Sequence, residues 1–183
     1  MLEAEFEGVL DAARVGADWA WTRLYEDLSG QVLGYLRRQG SREAEDLLGE
    51  VWLQLARNIG TFEGDEPGFR SWVFTVAHHR LIDQRRRSAR RPEEPALERE
   101  EPGDGVDGTS EEALAQIATD RVQALIERLV PAQRDVLLLR IVGGLTVPEI
   151  AATLGKRTGA VKALQRRGLE ALRRIIDREG VSL

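Results

Sequence analysis

The sequence predicts an all-α protein in which two small helical domains are joined by a flexible acidic linker. Apolar residues recur at helical spacing on both sides of the linker, and no segment shows the strict alternation of apolar and polar residues typical of a half-buried strand. The segment between them is rich in proline, glycine and acidic residues. We therefore expect an N-terminal helical bundle over residues 1–90, a linker over 91–112 and a second helical domain over 113–183.

Two amphipathic helices are predicted early in the first domain, over residues 19–38 and 43–57. The second of these carries an apolar face made of Ala44, Leu47, Leu48, Val51 and Leu55. Polar residues lie elsewhere on the same helix, among them Glu45, Asp46, Glu50 and Gln54. This polar face is a candidate docking surface for a partner protein.

Aromatic residues are confined to the first domain, since none follows residue 74. Its last predicted helix contains FRSWVFTVAHH, residues 69–79, and leads into the basic tail DQRRRSAR, residues 83–90. Planar rings beside cations are the combination that captures unstacked bases, which points to single-stranded or melted DNA. An ordinary core stripe is the alternative reading of Phe69, Trp72, Val73, Val76 and Ala77, so we expect only one or two of them to be exposed.

The linker holds nine of the 31 acidic residues of the chain, against two basic ones, and thereby accounts for the net charge of −5. It also contains three prolines and three glycines and few apolar residues, so burial cannot offset the entropy lost on ordering it. We expect it to be a flexible tether. Masking of a basic surface when DNA is absent is a second role that its charge would allow.

Residues 146–172 predict a DNA-binding helix-turn-helix. Thr146 and Glu149 have the spacing of a capping box at the start of the first helix. Gly155 can adopt the left-handed conformation that ends this helix, and the turn covers residues 155–157. The second helix is predicted to bury Val161, Leu164, Leu169 and Leu172 and to present Arg157, Lys162, Gln165, Arg166 and Arg167 outward. An amphipathic hairpin with a solvated basic face is the alternative.

Several classes of site are not expected. The chain has no cysteine, which excludes disulfides and thiolate metal sites, and no window approaches the roughly 18 apolar residues of a membrane span. His78, His79 and Asp83 match the HHxxxD spacing of acyltransferases, but neighbouring helical residues point about 100° apart and no catalytic glycine follows. We expect a cytoplasmic protein without catalytic residues, metal or cofactor.

Three segments together resemble the extracytoplasmic-function (ECF) sigma factors of bacterial RNA polymerase. They are AEDLLGEVWLQL at residues 44–55, FRSWVFTVAHHRLIDQRRR at 69–87, and VLLLRIVGGLTVPEIAATLGKRTGAVKALQRRGLEALRR at 136–174. The resemblance implies that residues 1–90 form sigma region 2 and that residues 113–183 form sigma region 4. The implied function is to bind core polymerase and direct promoter-specific initiation, with region 2 opening the −10 element and region 4 reading the −35 element.

The same resemblance implies roles for individual residues. Core binding, to the clamp helices of the largest subunit, falls to Asp46, Glu50 and Gln54, and the flap of the second subunit is a further contact. Binding of the −10 DNA falls to Asn58, Phe62, Phe69, Trp72, His79, Arg80, Asp83, Arg85, Arg86 and Arg87, with a flipped base held by the loop at residues 58–67. Binding of the −35 DNA falls to Arg157, Thr158, Lys162, Gln165, Arg166 and Arg167. An anti-sigma factor is a further implied partner.

Two positions depart from the commonest family pattern. His79 stands where asparagine is usual, which bears on −10 base preference, and Gly49 stands where glutamine is usual on the core-binding helix. Two other functions are compatible with parts of the sequence. A stand-alone helix-turn-helix regulator would account for the C-terminal half, and a protein-interaction adaptor would leave the basic face at residues 162–167 unexplained.

Overall fold

The computed structural model describes residues 5–90 and 121–179. Within these ranges the chain forms helices and no strand, which confirms the predicted all-α fold. The predicted linker, residues 91–112, lies outside the described residues, as does the start of the predicted second domain.

Four helices make up the N-terminal unit. They are α1 (Phe6–Arg14), α2 (Asp18–Arg38), α3 (Ala44–Asn58) and α4 (Glu66–Arg90), with a 3₁₀ turn at Ile59–Thr61. Helix α1 was not among the helices predicted from the sequence. Its buried residues, Phe6, Val9, Leu10 and Ala13, follow the i, i+3, i+4, i+7 pattern that would have revealed it.

The predicted apolar faces of α3 and α4 are confirmed. On α3 the predicted apolar residues are all buried, together with Trp52. On α4, Trp72 is half-buried while the other members of the stripe, Phe69, Val73, Val76 and Ala77, are buried. The stripe is therefore core, with one ring at its edge.

The C-terminal unit also consists of helices. Its described part comprises α5 over residues 121–127, α6 (Pro131–Ile141), α7 (Val147–Leu154) and α8 (Thr158–Glu179). Helices α6 and α7 both pack against α8. Helices α7 and α8, with the turn between them, are the predicted helix-turn-helix.

Local signals set the ends of α7 as predicted. The backbone N–H of Thr146 donates to Glu149 Oε2 at 2.6 Å, and the Glu149 N–H donates to Thr146 Oγ1 at 3.5 Å, which completes the capping box. Gly155 ends the helix in the left-handed conformation with φ of 60°. The turn before α8 covers residues 155–157, as expected.

Burial along α8 differs from the prediction at one position. Val161 is fully buried, and Leu164 and Leu172 are half-buried, but Leu169 is 48% exposed. Gly168, the residue before it, faces α6, where an added Cβ would lie 2.8 Å from Leu137 Cδ1. Because successive helical residues point about 100° apart, Leu169 is turned away from this contact. The prediction that Leu169 is buried was wrong.

The two units share one continuous apolar core. Phe74 of α4 has no exposed surface, and a Cβ built on Gly143 after α6 would lie 3.2 Å from its Cδ1 atom. Thr75 Oγ1 of α4 lies 2.7 Å from Thr153 Oγ1 of α7. Thr75 donates its own hydrogen to Ser71 O at 2.8 Å, so Thr153 is the donor between the two hydroxyls. Helix α4 thus contacts both its own bundle and the helix-turn-helix.

A buried polar cluster lies at the same boundary. Gln39 Nε2 donates to Asp135 Oδ1 of α6 at 2.9 Å and to the Tyr35 hydroxyl at 3.3 Å. The Tyr35 hydroxyl is also hydrogen-bonded to His78 Nδ1, at 2.8 Å. Arg85 Nη2 donates to Gln39 O at 2.5 Å and to Gln39 Oε1 at 3.1 Å. The cluster therefore satisfies the buried amide of Gln39 from both units.

Gly168 provides a test of how closely α6 and α8 pack. We expect Gly168→Leu to destabilise the fold by about 1–3 kcal/mol relative to Gly159→Leu, because it overpacks the contact with Leu137. Gly159 lies on the same helix, and a Cβ there meets no atom within 4 Å. Comparing the two variants therefore removes the gain in helix propensity that both receive when glycine is replaced by leucine. Urea unfolding of both variants measures the difference. Equal stabilities would contradict the close packing at Gly168.

His78 predicts a dependence of stability on pH. Burial lowers the pKa of His78, and the charges of His79 and Arg85 lower it further, while Asp135 acts in the opposite direction. A histidine whose pKa is lower in the folded than in the unfolded state contributes stability above about pH 6.5, and this stability is lost as the pH falls.

The two histidines of the chain, side by side on α4, make a matched pair for this measurement. Between pH 7.5 and 5.5 we expect the free energy of unfolding of the native chain and of His79→Gln to fall further than that of His78→Gln. Urea titrations at both values measure it, and equal pH dependence in all three proteins would contradict the role of His78.

Candidate nucleic-acid and polymerase interface

A basic surface surrounds the start of α8. Arg157, Thr158, Lys162, Arg166 and Arg167 are exposed, whereas Gln165 is half-buried. Thr158 is the first residue of the helix, so the unpaired backbone N–H groups and the positive end of the helix dipole lie beside the cations. Thr158, Lys162, Gln165 and Arg166 follow the i, i+4, i+7, i+8 spacing of one helix face. This surface, which we call the α8 basic surface, has the chemistry and shape to enter a DNA groove.

Among the ion pairs of the described residues, only one of these cations is paired with a carboxylate. Arg166 Nη1 lies 3.8 Å from Glu170 Oε1, one helical turn away, and the arginine side chain is 71% exposed. Pairs of this kind on a helix surface are weak, so the guanidinium can exchange its partner for a phosphate or a base edge.

A second candidate surface is a cluster of three aromatic rings at the start of α4. Phe62 and Trp72 are stacked, with ring centroids 5.2 Å apart and planes at 15°. Phe69 meets both rings, at 5.3 Å from Phe62 and 5.7 Å from Trp72. Phe69 is only 1% exposed, however, so it cannot contact DNA in this conformation and instead supports the two half-buried rings.

The irregular segment before α4 is shorter than the loop predicted at residues 58–67. Asn58 is the last residue of α3, and Pro67 lies in the first turn of α4. Arg14 Nη2 of α1 donates to Phe62 O at 2.5 Å, and Asp65 Oδ1 accepts from the Gly68 N–H at 2.9 Å. Both ends of the segment are thereby fixed, which orients the Phe62 ring.

The basic end of α4 lies apart from the aromatic cluster. His79, Asp83, Arg86 and Arg87 are exposed, and Arg80 is half-buried. Trp72 precedes these residues by two to four helical turns, up to roughly 22 Å. The structure therefore divides the predicted −10 residues between two patches, the aromatic cluster near the start of α4 and the basic residues near its end. Arg85 belongs to neither, because its guanidinium bonds Gln39.

The polar face of α3 lies against this basic end. Glu50 Oε2 is 3.8 Å from Arg80 Nη1 and 3.7 Å from Arg87 Nη2. Arg80 Nε also donates to Gln54 Oε1 at 2.7 Å, while Asp46 is exposed. Residues predicted to bind polymerase and residues predicted to bind DNA are thus in direct contact with each other.

An apolar part of the α3 surface was missed in the sequence. Leu53 is 59% exposed, and Tyr25, 45% exposed, packs its ring 5.2 Å from the ring of Trp52. Leu53 is an apolar residue outside the buried face of α3, and this departure from helical periodicity could have indicated an exposed apolar patch. Exposed apolar side chains beside Gln54 enlarge the surface that a partner protein can bury.

We also searched the described residues for metal sites, membrane-spanning helices and a histidine-based site. Among residues 5–90 and 121–179, no group of three or more histidines and acidic residues could hold a metal ion. Nor is any helix of these ranges both long and apolar enough to cross a membrane. His78 is buried and bonded to Tyr35, while His79 points elsewhere, with the two ring centroids 6.2 Å apart.

Comparison with known proteins finds relatives that span both units of the chain. The family described as Sigma-70 region 2 matches residues 24–91, and the family Sigma-70, region 4 matches residues 119–172. The ECF RNA polymerase sigma factor BldN of Streptomyces coelicolor is 31% identical over 170 residues, covering 92% of this chain and 64% of BldN. The ECF RNA polymerase sigma factor SigD of Mycobacterium tuberculosis is 30% identical over 173 residues, covering 91% of this chain and 82% of SigD.

Solved structures show the same fold. CnrH, solved in complex with the cytosolic domain of CnrY, matches with a TM-score of 0.68 at 22% identity, over 93% of this chain and 96% of that one. The sigma factor RpoE from Bartonella quintana, solved with the anti-sigma factor NepR, matches with a TM-score of 0.63 at 18% identity, over 85% and 96%. From both regions and from relatives such as SigD, the chain belongs to the family of ECF RNA polymerase sigma factors.

Proposed function

We propose that the chain binds bacterial core RNA polymerase and directs it to promoters with a −10 and a −35 element. The observation that carries the proposal is the α8 basic surface, an exposed cationic helix start in a helix-turn-helix, on a chain that also has an exposed binding face on α3. Its domain division follows the prediction, with region 2 over 1–90, the acidic linker over 91–112 and region 4 over 113–183.

The −35 element is the target of the α8 basic surface. Arginine and lysine side chains pair with guanine edges in the major groove and with phosphates. Arg157 and Thr158 stand at the helix start, where backbone N–H groups also point at a phosphate. Lys162, Gln165, Arg166 and Arg167 extend the contact along the helix.

The −10 element is the target of α4 and the segment before it. The half-buried rings of Phe62 and Trp72 offer apolar planar surface for an unstacked base, supported from below by Phe69. Flipping a base out of the duplex requires a few kcal/mol, so an ordered receiving surface favours opening. Asn58, at the end of α3, borders this surface.

Beyond the rings, His79, Arg80, Asp83, Arg86 and Arg87 supply the polar and cationic contacts. Arg85 acts indirectly in the described conformation, since it holds the Gln39 backbone and side chain. It becomes available for a phosphate only if that contact opens.

Core polymerase is the partner of the α3 face. Asp46, Glu50 and Gln54 provide its polar part, and exposed Leu53 provides an apolar part beside it. Gly49 is exposed on the same helix, and an added Cβ there would meet no atom within 4 Å, so this position is open to a partner. The flap of the second polymerase subunit is the further contact that we assign to region 4.

An anti-sigma factor is a further partner in this proposal. RpoE of Bartonella quintana was solved with the anti-sigma factor NepR, and CnrH was solved with the cytosolic domain of CnrY. Here an open apolar groove of about 630 Å³ runs between α2 and the C-terminal unit. Its lining includes Val122, Leu125, Ile141, Leu172 and Ile176. Partner helices with an apolar face would fit such a groove.

The chain acts on an enzyme and has no catalytic role of its own in this account. The HHxxxD spacing does not form a general-base site, because His78 is buried in the core and hydrogen-bonded to the Tyr35 hydroxyl. The proposed binding to core RNA polymerase places the chain in the cytoplasm.

Paired substitutions on α8 test the proposal. We expect Arg166→Ala with Arg167→Ala to reduce transcription from a −35-dependent promoter by at least about tenfold, since each lost contact to a base or phosphate removes about 1–3 kcal/mol. Core binding, measured by co-migration with polymerase, should remain unchanged. Run-off transcription gives the readout.

The matched control is Arg173→Ala with Arg174→Ala, two exposed arginines further along the same helix. It removes the same charge from outside the α8 basic surface. Loss of core binding in the Arg166 and Arg167 variant, or an equal loss of transcription in the control, would contradict the assignment of the −35 contact.

A further inference from the structure

Helix α1 carries none of the residues proposed to bind polymerase or DNA, yet it contacts the aromatic cluster at two points. At the start of α1, the buried Phe6 ring packs on the Phe69 ring, with centroids 5.7 Å apart. At the end of α1, Arg14 Nη2 donates to Phe62 O at 2.5 Å. Phe69 also meets the Phe62 ring, with centroids 5.3 Å apart. Helix α1 thus supports Phe62 through a row of rings and through a hydrogen bond to its backbone.

The Arg14 side chain is itself held in place. Its Nη1 atom donates to Asp11 Oδ1 at 2.8 Å, one helical turn earlier, while Nη2 bonds Phe62 O. Because the guanidinium is planar and rigid, the bond to Asp11 orients the nitrogen that reaches Phe62. The end of α1 is fixed as well, since Trp21 Nε1 of α2 donates to Ala13 O at 3.2 Å. The segment before α4 is therefore attached to a fixed point of the bundle.

The Phe62 ring is confined by its neighbours. A Cβ built on Gly64 would lie 3.1 Å from Phe62 Cζ, so the tip of the ring lies close to the Gly64 backbone. The ring also stacks on Trp72, with planes at 15°. With the ring confined in this way, the position of the Phe62 backbone determines where the planar surface for an unstacked base lies.

We propose that Arg14 is a positioning residue for promoter opening, because its hydrogen bond to Phe62 O keeps the Phe62 and Trp72 rings in place to receive the base that leaves the duplex. This inference rests on the proposed function, since it takes these two rings as the receiving surface. Arg14 acts through Phe62 and not through its own charge on DNA. A surface that is ordered in advance favours opening, because no free energy is spent on ordering it when the base arrives.

A double-mutant cycle tests whether Arg14 acts through Phe62. The native chain, Arg14→Ala, Phe62→Ala and the double variant are each assembled with core polymerase. The readout is the rate of promoter opening, followed by the fluorescence of 2-aminopurine in the −10 element of a promoter that the native chain recognises. We expect Arg14→Ala to slow opening by about three- to tenfold, since one hydrogen bond is lost. In the Phe62→Ala background the same change should have no further effect.

The matched control is Arg23→Ala, which removes an exposed cation from α2, 3.7 Å from Glu5 Oε2. It should open the promoter at the native rate. Native opening by Arg14→Ala, or equal slowing in the control, overturns the proposal. Equal slowing by Arg14→Ala with and without Phe62 also overturns it, and would indicate that Arg14 contacts DNA directly. Failure of the native chain itself to open promoters with core polymerase instead overturns the proposed function.

Fluorine NMR of the chain alone gives a second readout that requires neither polymerase nor DNA. The chain contains four phenylalanines, so labelling with 4-fluorophenylalanine gives four resonances, and Phe62→Leu assigns that of Phe62. We expect Arg14→Ala to shift the Phe62 resonance while that of fully buried Phe74 stays in place. Arg14→Lys, which keeps a charged donor, should shift the Phe62 resonance less. An unchanged Phe62 resonance in Arg14→Ala, or equal shifts at Phe62 and Phe74, would overturn the positioning role.

Discussion

Helix α4 is buried from two sides, and the remaining arrangement depends on it. Phe74 and Ala77 have no exposed surface, and the residues around them meet α2 and α3 on one side and the helix-turn-helix on the other. Because close-packed cores transmit displacement, the aromatic rings at the start of α4 and the basic residues at its end hold fixed positions relative to both units. Movement of α7 away from Thr75 would leave the first bundle intact, since α1, α2 and α3 pack on α4 independently of it.

The surfaces proposed to bind polymerase and DNA are in direct contact with each other. Glu50 lies on the face assigned to polymerase, yet it pairs with Arg80 and Arg87, which are assigned to DNA. Partly exposed pairs of this kind contribute about 0–1 kcal/mol, so a partner that takes the carboxylate releases both arginines at little free-energy cost. The polar cluster around Gln39 likewise holds a residue assigned to DNA, because Arg85 donates hydrogen bonds to Gln39. In the proposed function, polymerase binding and DNA binding are therefore linked through side chains that exchange partners.

Local signals in the sequence predicted much of this structure. The capping box at Thr146, the left-handed Gly155 and the core stripe beginning at Phe69 depend on residues near one another in the chain, and all three were confirmed. Exposed Leu169 could not be predicted, because its direction depends on how α6 crosses α8 at Gly168. Contact between Thr75 and Thr153, 78 positions apart, depends on tertiary packing that periodicity does not encode. The candidate site residues were assigned by resemblance. The structure adds that Trp72 is half-buried whereas Phe69 is buried, which depends on tertiary packing.

Run-off transcription with purified bacterial core polymerase, with and without this chain, shows whether the chain directs promoter-specific initiation. The template is a pool of promoter fragments from the genome that encodes the chain. Core enzyme alone should initiate little, and we expect specific transcripts only when the chain is added, with shared upstream elements at −10 and −35. Retention of duplex fragments by a chain that neither binds nor redirects core polymerase would contradict it and would indicate a stand-alone DNA-binding regulator.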